Sequence, residues 1–419
     1  MSKYTGWIRL IVKLSWRDCF ESLIRAEKGE IIHRPFGSAV HLSDWKQLQF
    51  NPVYLSNVPK TGETEIDTKT LLGPQAEKPL VLKIPVLIGA MSYGNSFDLR
   101  TELGLAKTAE QCGIAVNTGN GPYLKEVRKL VSKYTLQLPR SFWSRSEEIL
   151  REVELIEIGL GHSAWASAPI RISGNKMSNQ LAGRIGTIPG LDAVIHSRMP
   201  EGENHKQLGV FVSQLKKITG GIPIAFKIGA THYLEKEMEC IIEAGADVIV
   251  FDGLEGGTHG SPPTLQDHVG LPTLPALCRA VKYLEINGLR EKVSLVVGGG
   301  LFTPGDFLKC LALGADAVII GTIAALTLVH TQVTQTMPFE PPTELLYFDG
   351  KKTKEFDFEL GAKNLSNYLL SCIKEMKDLT RALGKRSFKE IGKADLIALD
   401  QTYAKMAGVS DITNEKGEY

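Results

Sequence analysis

Two short glycine-bearing stretches late in the chain have the residue types that chemistry needs. Gly298-Gly299-Gly300-Leu301 follows one apolar run and leads into Thr303-Pro304-Gly305-Asp306; Gly321-Thr322 follows the next apolar run. Glycines let backbone N–H groups approach a phosphate closely, and a helix starting there adds a favourable dipole. Tight turns alone would also use glycine, but two such loops on successive runs favour a phosphate ligand. A third stretch, from Asp252 to Pro262, sets Asp252, Glu255, Gly256, Gly257, Thr258 and His259 directly after an apolar run. A structural turn does not need that density of functional groups, so this loop is expected to face a ligand. Lys227 interrupts Ile224-Ala225-Phe226-Lys227-Ile228, and a charge in a core-like run is costly unless it has a partner. Either it snorkels at a strand edge, or it sets its ammonium against the N1/O2 edge of a flavin, where negative charge develops on reduction.

The elements that must position these residues repeat from about residue 84 as a β-branched run, a polar or glycine-rich loop and an amphipathic helix. Eight strands are expected, within 84–90, 113–117, 133–138 (the weakest), 154–158, 222–227, 246–251, 293–297 and 315–320. Most are continuously apolar rather than alternating, as in parallel strands covered on both faces. Helices are expected over 100–111, 208–219, 233–245 and 304–314. The fold class is therefore α/β, a (β/α)8 TIM barrel with an N-terminal extension and C-terminal packing helices; an open doubly wound sheet is the alternative. The expected organisation is an extension over 1–80 with an amphipathic helix near 6–26, a barrel over 81–345 and a helical segment over 346–419. An insertion at about 160–220 is too long for a plain loop and is expected to shape the mouth of the site. Leu365, Leu369, Ile373, Met376, Leu379 and Leu383 recur at helical spacing before Gly384 and read as a packing face.

The chain has 419 residues, room for two to three domains or for one barrel with appended segments. Its 48 Lys and Arg balance 47 Asp and Glu, which argues against a nucleic-acid or membrane-surface partner. The six cysteines are scattered without a CxxC pair, so neither a zinc site nor a disulfide framework is expected, and no metal. The start, Met1-Ser2-Lys3-Tyr4, lacks a signal-peptide pattern, and the patch Trp7–Val12 is too short to span a bilayer; a cytoplasmic setting is expected. Gly159-Leu160-Gly161-His162-Ser163-Ala164 formally fits GxGxxA, but position 180 is Gln rather than an acid that could hold a ribose.

Four stretches resemble the FMN-binding domain of the glutamate synthase family. Leu87–Gly94 looks like its first strand, with Ala-Met-Ser under the flavin. Asn117-Thr118-Gly119-Asn120-Gly121 looks like its Asn-Thr-Gly-Glu-Gly loop. Residues 256–262, continuing to His268-Val269-Gly270-Leu271-Pro272, are similar to its Gly-Gly-Thr-Gly-Ala-Ser-Pro segment and the His-x-Gly-Leu-Pro after it. Gly299-Gly300-Leu301 and Gly321-Thr322 match its phosphate loops. The resemblance spans about 35–385 and implies FMN as cofactor. It places Ala90, Met91, Ser92 and Asn117 about the flavin, Lys227 at its pyrimidine edge, Gly256, Gly257 and Thr258 in the loop beside it, and Gly299, Gly300, Gly321 and Thr322 on its phosphate.

The departures bear on the substrate. Glutamate-forming members of the family carry an acid where this chain has Asn120. They carry two 2-oxo-acid-binding lysines where it has Gly159 and Trp165, and three iron–sulfur cysteines where Leu328–Pro338 contains none. A dicarboxylic 2-oxo acid needs cationic partners, and without thiolates no family-type cluster can relay electrons. His162, Trp165, His259 and Asn120 are the candidate catalytic residues, with Ser163, His232 and Glu157 also in view. A histidine near neutrality can exchange a proton while a hydride moves at flavin N5. The expected function is hydride exchange with a small amine/imine or hydroxyl/carbonyl substrate. Glutamate synthesis at a modified site is the alternative, and a non-catalytic flavin-binding scaffold the third reading. An external electron donor, NAD(P)H or a redox protein, and an oligomer are compatible with this reading; nucleic acid and membrane are not expected as partners.

Overall fold

In the computed structural model, residues 12–13, 15–337 and 340–413 are described. Eight strands form one sheet: β1 (Val86–Ile88), β2 (Val116–Asn117), β3 (Tyr134–Leu138), β4 (Leu155–Gly159), β5 (Ile224–Gly229), β6 (Val248–Asp252), β7 (Ser294–Gly298) and β8 (Ala317–Ile320). Their order is β1-β8-β7-β6-β5-β4-β3-β2, and every hydrogen-bonded pair is parallel. The end strands β1 and β2 lie side by side. This is a TIM barrel.

The barrel's two faces separate two cores. Leu155, Ala225, Val248, Val250, Val296 and Ala317 point inward and pack with Leu72, Leu80 and Leu82. Those leucines belong to an antiparallel hairpin, Thr70–Leu72 with Leu80–Leu82, which plugs the amino-terminal end. The alternate residues, among them Ile156, Ile158, Phe226, Ile249, Phe251 and Leu295, point outward into the second core beneath the helices. Burial on both faces explains the continuous apolar runs. β3 reads weakly because Thr135 and Gln137 are its buried inward residues.

The larger helices are α1 (Trp16–Lys28), α2 (Leu99–Cys112), α3 (His205–Thr219), α4 (Leu234–Glu243), α5 (Thr273–Ile286), α6 (Pro304–Ala312), α7 (Thr322–Val329) and α8 (Phe358–Ala382). Their ends are set by local chemistry. Asp98 and Asn204 accept from first-turn N–H groups of α2 and α3, and left-handed Gly113 and Gly220 end those helices. Thr303 and Asp306 form a capping box on α6. α8 buries Leu365, Leu369, Ile373 and Met376 and packs on α2 and α7.

Two expectations differ from the structure, and a third segment gains detail. The expected first helix is broken at Ser15: Val12 and Lys13 are helical, a new helix begins at Trp16 with Ser15 as its N-cap, and residues 6–11 and 14 of the expected span lie outside the described residues. The 346–419 segment is not all helical: Leu396–Ala398 pairs antiparallel with Leu48–Phe50 and parallel with Ser410–Asp411. Strands this short leave no readable period. The 160–220 segment folds as a hairpin, Ile170–Ile172 with Ala193–Ile195, a helix Asn179–Ile185 and then α3.

Residues 33–48 form a strap across the carboxyl ends of β6, β7 and β8. Arg34 N donates to Ser261 O (3.0 Å), Phe36 N to Thr258 O (2.9 Å), and Thr322 Oγ1 to Phe36 O (3.1 Å). Glu255 joins strap to barrel, accepting from Ser43 N (2.7 Å) at one oxygen and from Thr273 N (2.9 Å) and Oγ1 (2.8 Å) at the other. Glu255→Ala strands these donors. It is expected to lower unfolding free energy by roughly 2–3 kcal/mol and to speed proteolysis within 33–48. Urea denaturation and timed digestion measure both; an unchanged midpoint would show that Glu255 does not anchor the strap.

Candidate active site

Lys227 lies near the carboxyl end of β5, beside Val250 of β6 and Gly159 of β4. Its Nζ is 3.4 Å from Asp252 Oδ2, and both residues are buried. Burial works against the ammonium, but Asp252 and Glu157 outweigh it and hold its pKa above the ordinary lysine value. Burial pushes the Glu157 carboxyl up, against the pull of Lys227 and of the Asn117 amide, whose Nδ2 donates to Glu157 Oε1 (3.2 Å). Gly298 stands beside Asp252, and a Cβ there would lie 2.7 Å from Asp252 Oδ1. The acid fits because residue 298 has no side chain.

Above this pair opens a hollow of about 1020 Å³, counted with its mouth, at the upper end of the range for ligand sites. Its lining brings together Ala90, Met91 and Ser92 after β1, Asn120 after β2, His162 and Trp165 after β4, and Lys227 on β5. Gly256, Gly257, Thr258 and His259 after β6, Gly299 after β7, and Gly321 and Thr322 after β8 complete the set. Asn117 and Gly300 differ. Asn117 sits a layer deeper, with its Oδ1 accepting from Gly119 N (2.9 Å). Gly300 turns away, its missing side chain facing Glu255. Ser163 and His232 lie outside this lining, and Glu157 lies below it.

One wall suits a phosphate. No side chain caps the first turn of α7, so its N–H groups remain open to an anion. A Cβ built on Gly321 would meet nothing within 4 Å, so space opens over that helix end. Gly299 at φ +116° turns its backbone beside that space, a conformation L side chains rarely adopt. The opposite wall suits a flat ring. Gly119 and Gly121 bring their loop against the backbone of Met91 and Tyr93, where a Cβ would approach to 2.9 Å. This fixes the Ala90–Ser92 segment. The residues present fit a flavin nucleotide.

The histidines are tuned to stay neutral. Burial, then the charge of Lys227, lowers His162 to about 4. Burial, then Lys176, lowers His259 to about 4. His259 Nδ1 is buried without a hydrogen-bond partner, its ring lies 4.5 Å from that of Tyr347, and Tyr347 Oη donates to His259 O (3.0 Å). His162 and Trp165 stand on one turn that Arg140 holds through the carbonyls of Ser167 (2.6 Å) and Ala168 (3.3 Å). Among the described lining residues Lys227 and Asp252 are the only Lys, Arg, Asp or Glu.

Among the lining residues that escaped sequence reasoning, three bear most on the site. Gln137 Nε2 donates to Asn120 Oδ1 (2.6 Å), and a Cβ on Gly159 would lie 2.7 Å from that same nitrogen. A polar residue in a buried strand was a usable signal, as it was for Lys227. Phe36 lines the hollow at φ +67°, and Tyr347 arrives from beyond the barrel; neither leaves a sequence signal.

Comparison with known proteins gives a consistent picture. The family model "Conserved region in glutamate synthase" matches residues 43–386. A "Glutamate synthase large subunit-like protein" of Rhizobium meliloti is 31% identical over 397 residues, covering 90% of this chain and 89% of that protein. An "Archaeal-type glutamate synthase [NADPH]" of Thermotoga neapolitana is 31% identical over 336 residues; the match covers 80% of this chain but 65% of that protein. Among solved structures, a flavocytochrome b2 variant with sulfite bound superposes with a TM-score of 0.55 at 16% identity, covering 86% of this chain and 80% of that one, a likeness of fold.

Two outcomes test the site's electrostatics. Lys227→Met leaves buried carboxylates unpaired and is expected to cost about 3–5 kcal/mol. Adding Asp252→Asn should return part of that loss, and a denaturant series that finds no recovery would refute the pairing. The histidine pKa values lie below the unfolded value of about 6.5. The unfolded chain therefore binds more protons in this window, and stability falls as pH drops from about 6.5 towards 4. Replacing His162 and His259 by Gln should flatten the limb between pH 6.5 and 5 in urea midpoints.

Proposed function

The chain belongs to the glutamate synthase family, and from that membership and the geometry of the hollow we propose an FMN-dependent oxidoreductase acting on a small amine/imine or hydroxyl/carbonyl substrate. The observation that carries the reading is one cavity holding both a buried, paired cation and an open helix N-terminus beside a left-handed glycine. FMN, when bound, supplies a hydride acceptor or donor at N5.

The chain's own residues do the rest. The N-terminus of α7, with Gly299, Gly321 and Thr322, would hold the phosphate. Ala90, Met91 and Ser92 would present backbone to the ring, and Gly256, Gly257 and Thr258 would close the loop beside it. Lys227, held by Asp252, would set its ammonium at the pyrimidine edge, where it favours the negative charge of the reduced form. His162 and His259, both kept neutral, can each accept a hydrogen bond at an imidazole nitrogen from a substrate N–H or O–H; their lowered pKa values make them weaker bases than the histidine near neutrality that the sequence led one to expect. Asn120 offers an amide for orientation, and Trp165 closes the mouth against water.

Charge argues against a dicarboxylic 2-oxo acid as the preferred substrate. Such a ligand needs cations, and among the described residues the one lysine lining the hollow is already paired with Asp252. Glutamate formation with an external donor, NAD(P)H or a redox protein, is the second reading, favoured by the names of the relatives.

Purified protein is expected to be yellow and to release close to one FMN per chain on denaturation. Thr322→Asp, which puts a negative charge at the phosphate end, should cut flavin content at least tenfold without unfolding the chain. Reduced protein should be reoxidised faster by uncharged carbonyl or imine compounds than by 2-oxoglutarate with ammonia or glutamine. Glutamate as the product would favour the second reading. Flavin that never cycles with any donor or acceptor would favour a scaffold. Colourless protein that ignores added FMN would end the proposal.

A further inference from the structure

We propose that Glu157 takes up the second proton of flavin reduction. The inference rests on FMN lying over Lys227, as in the function proposed above. Glu157 on β4 is 3% exposed and does not line the flavin hollow. It faces the barrel interior, where a smaller hollow of about 400 Å³, counted with its opening, touches Glu157, Asn117 and Thr135. Its Oε1 accepts from Asn117 Nδ2 (3.2 Å). Lys227 gives its close contact to Asp252 instead, at 3.4 Å. Among the described residues Glu157 has no ion-pair partner within 4.0 Å.

The groups around this carboxyl set its charge. Burial opposes the ionised form most, Lys227 on β5 and the Asn117 amide on β2 favour it, and Asp252 on β6 opposes it. Gln137, its register partner on β3, is uncharged. His162, after β4, is kept neutral by burial and by Lys227. Two buried carboxyls thus share one ammonium, and the cluster holds an excess negative charge when both are ionised.

Reduction adds to that excess. FMN takes two electrons and one proton at N5, which leaves a negative charge at the pyrimidine edge. The Lys227 ammonium favours that charge and works against a proton at the same edge. Three negative charges would then surround one cation away from water, where like charges raise one another's proton affinity. Asp252 would give up an ion pair on protonation. Glu157 would give up none, and as a neutral acid it can still accept from Asn117. The balance is two electrons and two protons, one proton at N5 and one on Glu157, with no net change of charge. An alcohol or amine being oxidised gives up a hydride and a proton, which is what the site takes up. A carbonyl or imine being reduced takes both back, so no further co-reactant is needed. Glu157 touches neither ring nor substrate and acts through the field at Lys227.

The test is the midpoint potential of the FMN-loaded full chain, reduced stepwise with dithionite beside redox dyes at several pH values around neutrality. For a two-electron couple a tenfold change in proton concentration moves the potential by about 30 mV per proton taken up. The wild-type potential is expected to fall by about 59 mV per pH unit and that of Glu157→Gln by about 30 mV. His162→Gln should keep the wild-type slope. Infrared difference spectra of the wild type, reduced minus oxidised, should show the C=O band of a newly protonated carboxyl, a readout that needs no variant. A wild-type slope of about 30 mV, no such band, or an unchanged slope in Glu157→Gln would overturn the proposal. So would a slope lowered by His162→Gln alone, because the proton would then sit on the imidazole. Yellow protein with the one-proton slope sinks this inference and leaves the flavin reading standing, whereas colourless protein that ignores added FMN sinks both.

Discussion

A buried ammonium without a counter-charge would not survive folding, and the carboxyl end of the barrel is arranged around that constraint. Lys227 can remain charged because the register of β5 and β6 brings Asp252 to 3.4 Å. Asp252 fits because its neighbour on β7 is Gly298. Glu157 adds a second carboxyl, steadied by the Asn117 amide, and the same Asn117 fixes Gly119 N at the start of the next loop. Gly119 in turn packs on Met91. A single buried cation thus ties β2, β4, β5, β6 and β7 to the segment meant to lie under a ring. Taking two charges out of water is expensive and is offset only by good geometry, so the arrangement is better explained by what the cation does at the mouth than by stability.

The strap supplies what the barrel alone lacks, a wall on the open side. Its path needs Gly37 at φ +86°, because a Cβ there would lie 2.2 Å from Gly256 O. It also forces Phe36, a bulky residue, to φ +67°. Such a conformation costs on the order of 1–3 kcal/mol. The hydrogen bonds from Phe36 N to Thr258 and from Thr322 to Phe36 O hold it in place, on two of the loops proposed to grip the cofactor. Strap and loops therefore order one another.

What the sequence made legible follows from which signals are local. β5 to β8 were readable because each is an apolar run ending in a polar or glycine loop, and the turn after β7 was readable because backbone at positive φ favours glycine. Lys227 declared itself as a charge among core residues. β3 was faint because its inward residues, Thr135 and Gln137, are polar. Asn117 and Gly300 stand in the right motifs but one layer below and one turn away from the hollow, which a motif cannot resolve. Phe36 and Tyr347 reach the site from outside the repeat, and nothing in their own neighbourhoods announces it.

The departures from the glutamate-forming pattern are linked by charge. In this chain the loop position after β2 is Asn120 rather than an acid, and the position at the end of β4 is Gly159 rather than a lysine. Between them lies Gln137, whose amide fills the space over Gly159 and donates to Asn120 at 2.6 Å. An amide pair of this kind is satisfied without a counter-ion, whereas a carboxylate or an ammonium placed there alone would be a half-buried unpaired charge. Replacing acid and cation together keeps that wall neutral. The same neutrality recurs across the hollow at His162 and His259. The part of the lining formed by Asn120, Gln137, His162 and His259 is thus built from dipoles and rings, an arrangement that supports the uncharged substrate centre proposed above.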